Sequence, residues 1–434
     1  MNNKLARIVA LANDKKLKFN ALVHHVNPDA LVHAFKQLKR NKACGVDEVT
    51  LNDYESDLGN NINKLVAKMK DKTYRPKPVK RVYIPKPGSD DKRPLGIPAT
   101  EDKMVQLAVK KILEPIFEPL FLNCSHGFRP NRSCHTAIEA LNKAVMTKSV
   151  HYVVEVDIKQ FFNSISHYWL QRCLEERISD PNMVWLVRRF LKAGIMENNA
   201  FSASDLGTPQ GGNLSPLLAN VYLHYVLDLW FEKKFKASTR NYVELIRYCD
   251  DFVVLFQSEN DAKRFLAELS VRLAKFKLEI APNKTRMLRF SQQGFVRNNR
   301  KGIKSESFNF LGFTHYFCKS RKGFPIVGHK TNKERLRDKL LKMKEYLRSA
   351  RNLYSLREWM PIIRAKLTGH YNYFGVSGNY RCLRQFYNKT IVMVFKWLNR
   401  RSQKKSMNWM QFIHYLQIFP LPQPRIMVNL YKLW

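Results

Sequence analysis

The stretch Arg247-Tyr248-Cys249-Asp250-Asp251-Phe252-Val253-Val254-Leu255 decides how this chain is read. Two short apolar, β-branched runs, 245–248 and 252–256, flank a pair of adjacent carboxylates. Runs of this kind broken by Asp-Asp spell a β-hairpin with Asp250 and Asp251 at its turn. Adjacent carboxylates repel each other, which raises their pKa values and destabilises the turn until a cation binds. A second acidic position, Asp157, ends another apolar run, Tyr152-Val153-Val154-Glu155-Val156-Asp157-Ile158. Carboxylates at strand ends suit Mg²⁺, which takes one or two of them together with substrate phosphates and waters. Two such ions roughly 3.5–4 Å apart activate a hydroxyl and stabilise a departing pyrophosphate. Asp-Asp alone is a common turn dipeptide. The flanking strands and the partner Asp157 give it this chemical meaning.

Composition points the same way. The 434 residues carry 75 Lys and Arg against 36 Asp and Glu, a formal charge of +39 spread along the whole length. Such an excess repels itself, so a polyanionic partner is expected: nucleic acid first, an anionic membrane surface second. With 45% hydrophobic and 26% charged residues, the chain is an ordered protein of two or three domains rather than a disordered one. No apolar run approaches the ~18–20 residues that span a bilayer, and Met1–Arg7 is not followed by a secretory signal pattern. Seven scattered cysteines without a Cys-x-x-Cys exclude a zinc ribbon and are expected as reduced thiols.

Outward from the acidic stations, the spacing predicts an α+β chain. Asn27 caps a helix over 28–41, and 101–117, 133–146, 168–177, 215–231 and 261–277 are helical stretches. Strands are expected at 152–158, 245–248, 252–256 and 308–313. Residues 75–98 read as a basic β-hairpin with a Gly-Ser-Asp-Asp tip. From Asn332 the pattern becomes helical and basic, with Leu336, Leu340, Met343 and Leu347 at helical spacing. A domain boundary is expected at 325–332, around Phe324-Pro325-Ile326-Val327-Gly328.

Other residues gather around the carboxylates. An aromatic five positions after Asp157, Phe162, is placed to lie beneath a sugar, while one of Phe161 and Phe162 belongs to the core. Gly207-Thr208-Pro209-Gln210-Gly211-Gly212-Asn213-Leu214-Ser215-Pro216 opens an apolar helix, where glycine allows close approach of a ligand and a helix N-terminus favours anions. Lys86 and Arg93, on the basic hairpin, are candidate triphosphate clamps. Lys284 is a candidate proton donor to pyrophosphate.

These motifs, in this order, resemble the reverse transcriptase family over about residues 27–400. The likeness is most specific at Gly127-Phe128-Arg129-Pro130, Val156-Asp157-Ile158-Lys159-Gln160-Phe161-Phe162, Thr208 to Pro216, Tyr248-Cys249-Asp250-Asp251 and Phe310-Leu311-Gly312-Phe313. Ile84-Pro85-Lys86-Pro87, Arg93-Pro94-Leu95-Gly96-Ile97-Pro98 and the stretch Trp397 to Ser406 are similar to the group II intron branch.

The resemblance implies a right-hand polymerase with fingers, palm and an all-helical C-terminal thumb. By that resemblance residues 1–150 are expected to be the N-terminal extension and fingers with part of the palm, 151–328 the palm with finger insertions, and 329–434 the helical thumb or maturase-like region. It implies Asp157, Asp250 and Asp251 as catalytic metal ligands for two Mg²⁺, with Mn²⁺ as a substitute. Lys86, Arg93, Phe162, Gln210 and Lys284 become nucleotide contacts, Leu311-Gly312 the primer grip, and Arg129 a template contact. The partners are an RNA template, a cDNA product and deoxynucleoside triphosphates, without a membrane.

Cys249 stands where that branch carries Ala. With the roughly 35 residues that follow Arg400, this resembles bacterial enzymes domesticated for antiphage defence, which copy a structured non-coding RNA in the cytoplasm. The alternative is a group II intron maturase and retrohoming protein that binds intron RNA and assists splicing.

Overall fold

The structure, a computed structural model, describes residues 3–85, 92–197, 200–203, 206–208, 211–401 and 407–431. In chain order its helices begin with α1 (Asn3–Ala12), α2 (Pro28–Gln37), α3 (Leu51–Glu55), α4 (Leu58–Lys70), α5 (Thr100–Phe117), α6 (Cys134–Thr147), α7 (Phe161–Ser164) and α8 (His167–Glu175). They continue with α9 (Pro181–Leu191), α10 (Ser215–Leu223), α11 (Glu259–Lys275), α12 (Gln292–Arg300), α13 (Lys333–Ala350), α14 (Leu356–Phe374), α15 (Tyr380–Leu398) and α16 (Trp409–Ile418). The strands form three sheets. The first has the order β2 (Lys92–Ile97), β1 (Val79–Pro85), β4 (Ile195–Glu197), β5 (Ala200–Ser202). The second runs β6 (Val243–Tyr248), β7 (Asp251–Phe256), β3 (Tyr152–Asp157), β8 (Arg286–Arg289). The third runs β11 (Pro325–Thr331), β10 (Phe313–Lys319), β9 (Phe308–Phe310). The expected α+β class is what the chain adopts.

Two compact units result. The first gathers Met1–Pro85, Asp91–Ala137 and Val153–Met287; the second gathers Ile138–Tyr152 and Leu288–Trp434. In the first unit, β6 and β7 pair antiparallel from Val243↔Phe256 to Tyr248↔Asp251. Phe252 to Phe256 are buried without exception, as expected of a strand covered on both faces. Phe256 meets Phe265 of α11 and Phe235 at ring distances of 5.4 and 6.2 Å. The chain after α10 passes through two π-helical turns, His224–Asp228 and Phe231–Phe235. Arg272 of α11 donates to the carbonyls of Val226 and Tyr225 at 2.9 and 3.0 Å, occupying acceptors the widened turn leaves open.

The helix capped by Asn27 forms as expected: its side chain accepts from the Ala30 N–H at 3.0 Å, although the helix stops at Gln37. The basic hairpin forms as β1 and β2, paired from Lys80↔Ile97 to Pro85↔Lys92; its expected tip lies outside the described residues.

In the second unit two expectations change. The single strand expected over 308–313 is two strands, because Leu311 and Gly312 sit at φ 51° and 79° and turn the chain between Phe310 and Phe313, which pair. Two successive positive φ values are the hallmark of the tight type I′ hairpin loop. The boundary expected at 325–332 falls within β11, where all seven residues pair with β10. Pro325 takes the first place of that strand, where its missing N–H does no harm. From Lys333 the described regular elements are four helices around a core of Trp359, Leu367, Tyr371, Phe386, Val394 and Phe412. The apolar stripe expected on α13 buries Leu336, Met343 and Leu347 there. Asn332 caps that helix by accepting from the Glu334 and Arg335 N–H groups.

An L side chain at the left-handed Gly312 position is strained. Gly312→Ala is expected to cost about 1 kcal/mol, read as a lower urea midpoint.

Candidate catalytic centre

The hairpin turn carrying the carboxylates is built from below. With Tyr248 paired to Asp251, Cys249 and Asp250 form a two-residue loop. Cys249 has φ 60°, the positive value that primed hairpin turns require at their first central residue. A side chain pays strain there, and three neighbours hold the conformation. The Cys249 carbonyl accepts from Arg247 Nη1 at 3.0 Å. The Gly127 backbone lies so near that a Cβ on it would sit 2.6 Å from the Cys249 nitrogen. The Gly127 carbonyl is itself held by Asn220 Nδ2 at 2.7 Å. Glycine at 127 is therefore a steric requirement of this turn.

Arg247 is fully buried and uses all five guanidinium N–H groups. Nε and Nη2 reach the two oxygens of buried Asp228 at 2.7 and 2.5 Å. Nη2 also donates to Ser125 Oγ at 2.8 Å, and Nη1 to Asn220 Oδ1 at 3.1 Å in addition to the Cys249 carbonyl. Backbone bonds from Arg247 N to Cys124 O and from His126 N to Arg247 O add the 124–127 segment to the same knot. Sequence reading passed over this cluster. Its signals were present: an arginine inside an apolar strand and an aspartate in the apolar run following Ser215.

Asp157 ends β3, the sheet neighbour of β7. Its backbone is clamped by the 279–285 loop: Ala281 N donates to Asp157 O at 2.8 Å and Lys159 N to Glu279 O at 2.9 Å. Its Oδ2 accepts from Lys284 Nζ at 3.0 Å. Burial pushes the Asp250 carboxyl above the ordinary aspartate range, and the charge of Asp157 pushes it further; the Cys249 thiol and Arg93 pull it back. Burial likewise pushes the Cys249 thiol well up, with the Asp250 charge adding to the effect. Asp157, Asp250, Lys284 and Arg93 thus share one electrostatic neighbourhood. Asp251 stands at the exposed start of β7.

No group of three or more His, Cys, Asp or Glu side chains close enough to hold a metal occurs among the described residues. The donors nevertheless suit Mg²⁺. The carboxylates are hard oxygen donors, the charge of Asp157 raises the proton affinity of Asp250, and an ammonium already serves as counter-cation to Asp157.

Phe161 is buried and Phe162 half-exposed, edge to face at 5.3 Å, so Phe161 is the core member of the pair. The Phe162 carbonyl accepts from Thr208 N at 2.7 Å, which lays the Gly207 turn along α7. Gly207, at φ 85°, has the Phe162 and Asn163 backbones where a Cβ would stand.

Gly211 and Gly212 lie close against neighbouring elements. Cβ atoms there would meet Gly96 O at 2.5 Å and Gln106 Oε1 at 2.8 Å. These close approaches are to β2 and α5. Arg129 is corrected. It is buried, and its donors go to Glu118 and to the Phe121, Leu122 and Ser125 carbonyls, leaving none for a template. Lys86 and Gln210 lie outside the described residues, as do Ser402–Ser406 of the maturase-like stretch. Leu311 and Gly312 belong to the second unit, where the Leu311 carbonyl accepts from Tyr373 Oη at 3.1 Å and that of Gly312 from Asn332 N at 3.0 Å.

Residues 84–315, more than half of the chain, match the family model described as reverse transcriptase (RNA-dependent DNA polymerase). The chain belongs to the reverse transcriptase family. It is 43% identical to the group II intron-encoded protein LtrA of Lactococcus lactis subsp. cremoris over 208 residues, 47% of this chain and 34% of that protein. It is 32% identical over 299 residues to an uncharacterized 91 kDa protein in the cob intron of Schizosaccharomyces pombe, covering 66% of this chain and 34% of that one. It is 31% identical over 342 residues to protein YkfC of Escherichia coli K12, covering 71% of this chain and 88% of the relative. The chain thus spans about a third of the length of the intron proteins it matches. Within the family it is group II intron-like, and its fold is the right-hand polymerase with a helical thumb. No helix among the described residues is long and apolar enough to cross a membrane, and all seven cysteines are free.

Two consequences are measurable. Asp228→Ala leaves a buried guanidinium charge without its partner, which should cost about 3–5 kcal/mol in urea unfolding. The pair Asp228→Leu with Arg247→Met should recover part of that loss. Asp250 has a raised folded pKa, so its ionised form destabilises the metal-free protein above the unfolded pKa, and the penalty fades as pH falls through the folded value. Asp250→Asn should therefore raise the thermal midpoint in chelator at neutral pH, and the gain should shrink in acid.

Proposed function

We propose that the protein is an RNA-directed DNA polymerase that extends a primer with deoxynucleotides along an RNA template. What supports this is that Asp157 ends β3, the sheet neighbour of β7, close enough to perturb the Asp250 carboxyl in the turn before β7. In this reading Asp157, Asp250 and Asp251 hold two Mg²⁺, with Mn²⁺ as a substitute. When bound, the ions acidify the primer hydroxyl and neutralise charge at the triphosphate.

The chain's own residues do the rest. Arg93, whose charge reaches Asp250, and Lys86 clamp the triphosphate. Phe162 lies beneath the sugar, and Gln210 contacts the incoming nucleotide. Lys284 exchanges its bond to Asp157 for the leaving pyrophosphate and supplies a proton there. Leu311-Gly312 steadies the primer end. Residues 1–150 act as fingers with part of the palm, 151–328 as palm, and 329–434 as thumb. The basic face of α13 follows the duplex through phosphate contacts, which carry affinity without sequence information.

Two biological settings fit this chemistry. In the first, a bacterial cytoplasmic enzyme copies a structured non-coding RNA as part of antiphage defence. In the second, favoured by the names of the intron-encoded relatives, the protein binds intron RNA and assists splicing and retrohoming. Sequencing the nucleic acid that co-purifies with the protein separates them. A short structured RNA with its cDNA supports the first, and intron RNA supports the second.

Asp250→Ala with Asp251→Ala should lower Mg²⁺-dependent primer extension on an RNA template by at least about a hundredfold, since the ions supply several kcal/mol of transition-state stabilisation. Near-normal extension by that variant would refute the reading.

A further inference from the structure

The first unit carries a second feature suited to nucleic acid, built by α8, α9 and the segment before Phe19. Two cavities of about 480 and 190 Å³ share Gln171, Val184 and Arg188, and so form one trough. One wall is α9, which presents Pro181, Val184, Trp185, Arg188 and Lys192 at helical spacing over about 16 Å. At one end stands Lys18, and at the other Tyr168 and Lys192.

The trough is preformed. Asp180 caps α9 by accepting from Asn182 N and Met183 N, and its other oxygen accepts from Leu22 N and Val23 N at 2.6 and 2.8 Å. Phe19 N bonds to Arg177 O, and Ser179 N to Phe19 O, both at 2.8 Å. These bonds fix the backbone that carries Lys18. Tyr168 is 66% exposed, yet its ring is braced edge-on against Trp169 at 5.2 Å, and Trp169 packs on Phe276 at 4.8 Å. Trp185 is layered with the Arg189 guanidinium at 5.3 Å. The carboxylate in the lining, Glu175, is occupied by Gln171 at 2.8 Å and faces Arg172 at 3.7 Å.

An exposed ring, Tyr168, and a half-exposed one, Trp185, set among cations suit a strand of unpaired bases: rings for stacking and Lys or Arg for the phosphates. A duplex hides its base faces and cannot use such platforms. We propose that this trough is a docking channel for single-stranded RNA, with bases on Tyr168 and Trp185 and phosphates on Lys18, Arg188 and Lys192. The choice of RNA rests on the template reading above; the choice of a single strand rests on the trough itself.

The test is fluorescence anisotropy of labelled twelve-residue oligouridylate with the full chain carrying Asp250→Ala, so that binding is read with synthesis switched off. Tyr168→Ala should weaken binding at least about fivefold, the low end of one lost stacking contact. Arg188→Gln, at an exposed position, should flatten the salt dependence by about 0.7 in log–log slope. 4-Thiouridine in the same oligomer should crosslink to peptides containing Tyr168 or Trp185. Unchanged affinity in both variants, with crosslinks elsewhere, overturns the proposal, including the case in which the trough serves a protein partner. Equal binding of oligothymidylate with the same dependence on Tyr168 overturns the assignment to RNA. Failure of primer extension by the wild type leaves these readouts intact.

Discussion

Everything at the catalytic turn hangs on a buried ion pair. Arg247 and Asp228 have no exposed side-chain surface, and desolvating two charges costs several kcal/mol each before their attraction repays it. The repayment requires full hydrogen bonding, and the guanidinium obtains it from four separate segments: the π-helical turn through Asp228, α10 through Asn220, the 124–127 segment through Ser125, and the turn itself through the Cys249 carbonyl. Removing any one partner leaves a donor unsatisfied in a low dielectric. The knot therefore behaves as a lock, complete only when all four segments are in place. This gives a physical reason for the π-helical turn: a widened turn sets Asp228 facing Arg247, and Arg272 satisfies the displaced carbonyls.

That arrangement explains what was legible in the sequence and what was not. The strands around Asp250 and the end of β3 at Asp157 were readable because apolar, β-branched runs report burial directly. The cap at Asn27 was readable because a short polar side chain before an amphipathic run has one local job; Asn332 has the same role before α13 but reads as the first residue of the helical stretch. Arg247 and Arg129 were not, because a charged residue in a protein of net charge +39 reads as one more surface cation. Only the identity of distant partners, Asp228 and Glu118, reveals them as internal. The split of 308–313 hides for a related reason: a type I′ turn needs two residues, and the apolar Leu311 in its first place disguises it as strand.

The glycines illustrate the same limit more sharply. Close approach was rightly expected at Gly211-Gly212, but sequence cannot name what approaches. The neighbours are Gly96 of the basic hairpin and Gln106 of α5, and Gln106 then accepts from Asn213 N at 2.9 Å. Gly127 likewise meets the backbone of Cys249. Motifs that look like substrate loops are, in good part, the places where the elements carrying the site touch one another. Their tolerance for change is set by packing as much as by chemistry.

The electrostatic layout follows from this scaffold. The surface cations are screened within about 10 Å at 0.1 M salt, so they gather a polyanion without fixing where it reacts. The carboxylates work under the opposite condition. Asp250 is partly withdrawn from water, where neighbouring charges act at full strength, and it feels Asp157 and Arg93 together. An acidic centre inside a strongly cationic protein repels its own members less than it would alone, because Lys284 and Arg93 offset part of the charge. Were the proposed metal and triphosphate bound, Asp157 and Asp250 would help to hold the metal, and the phosphates would offer Lys284 and Arg93 new partners in place of the carboxylates they now face.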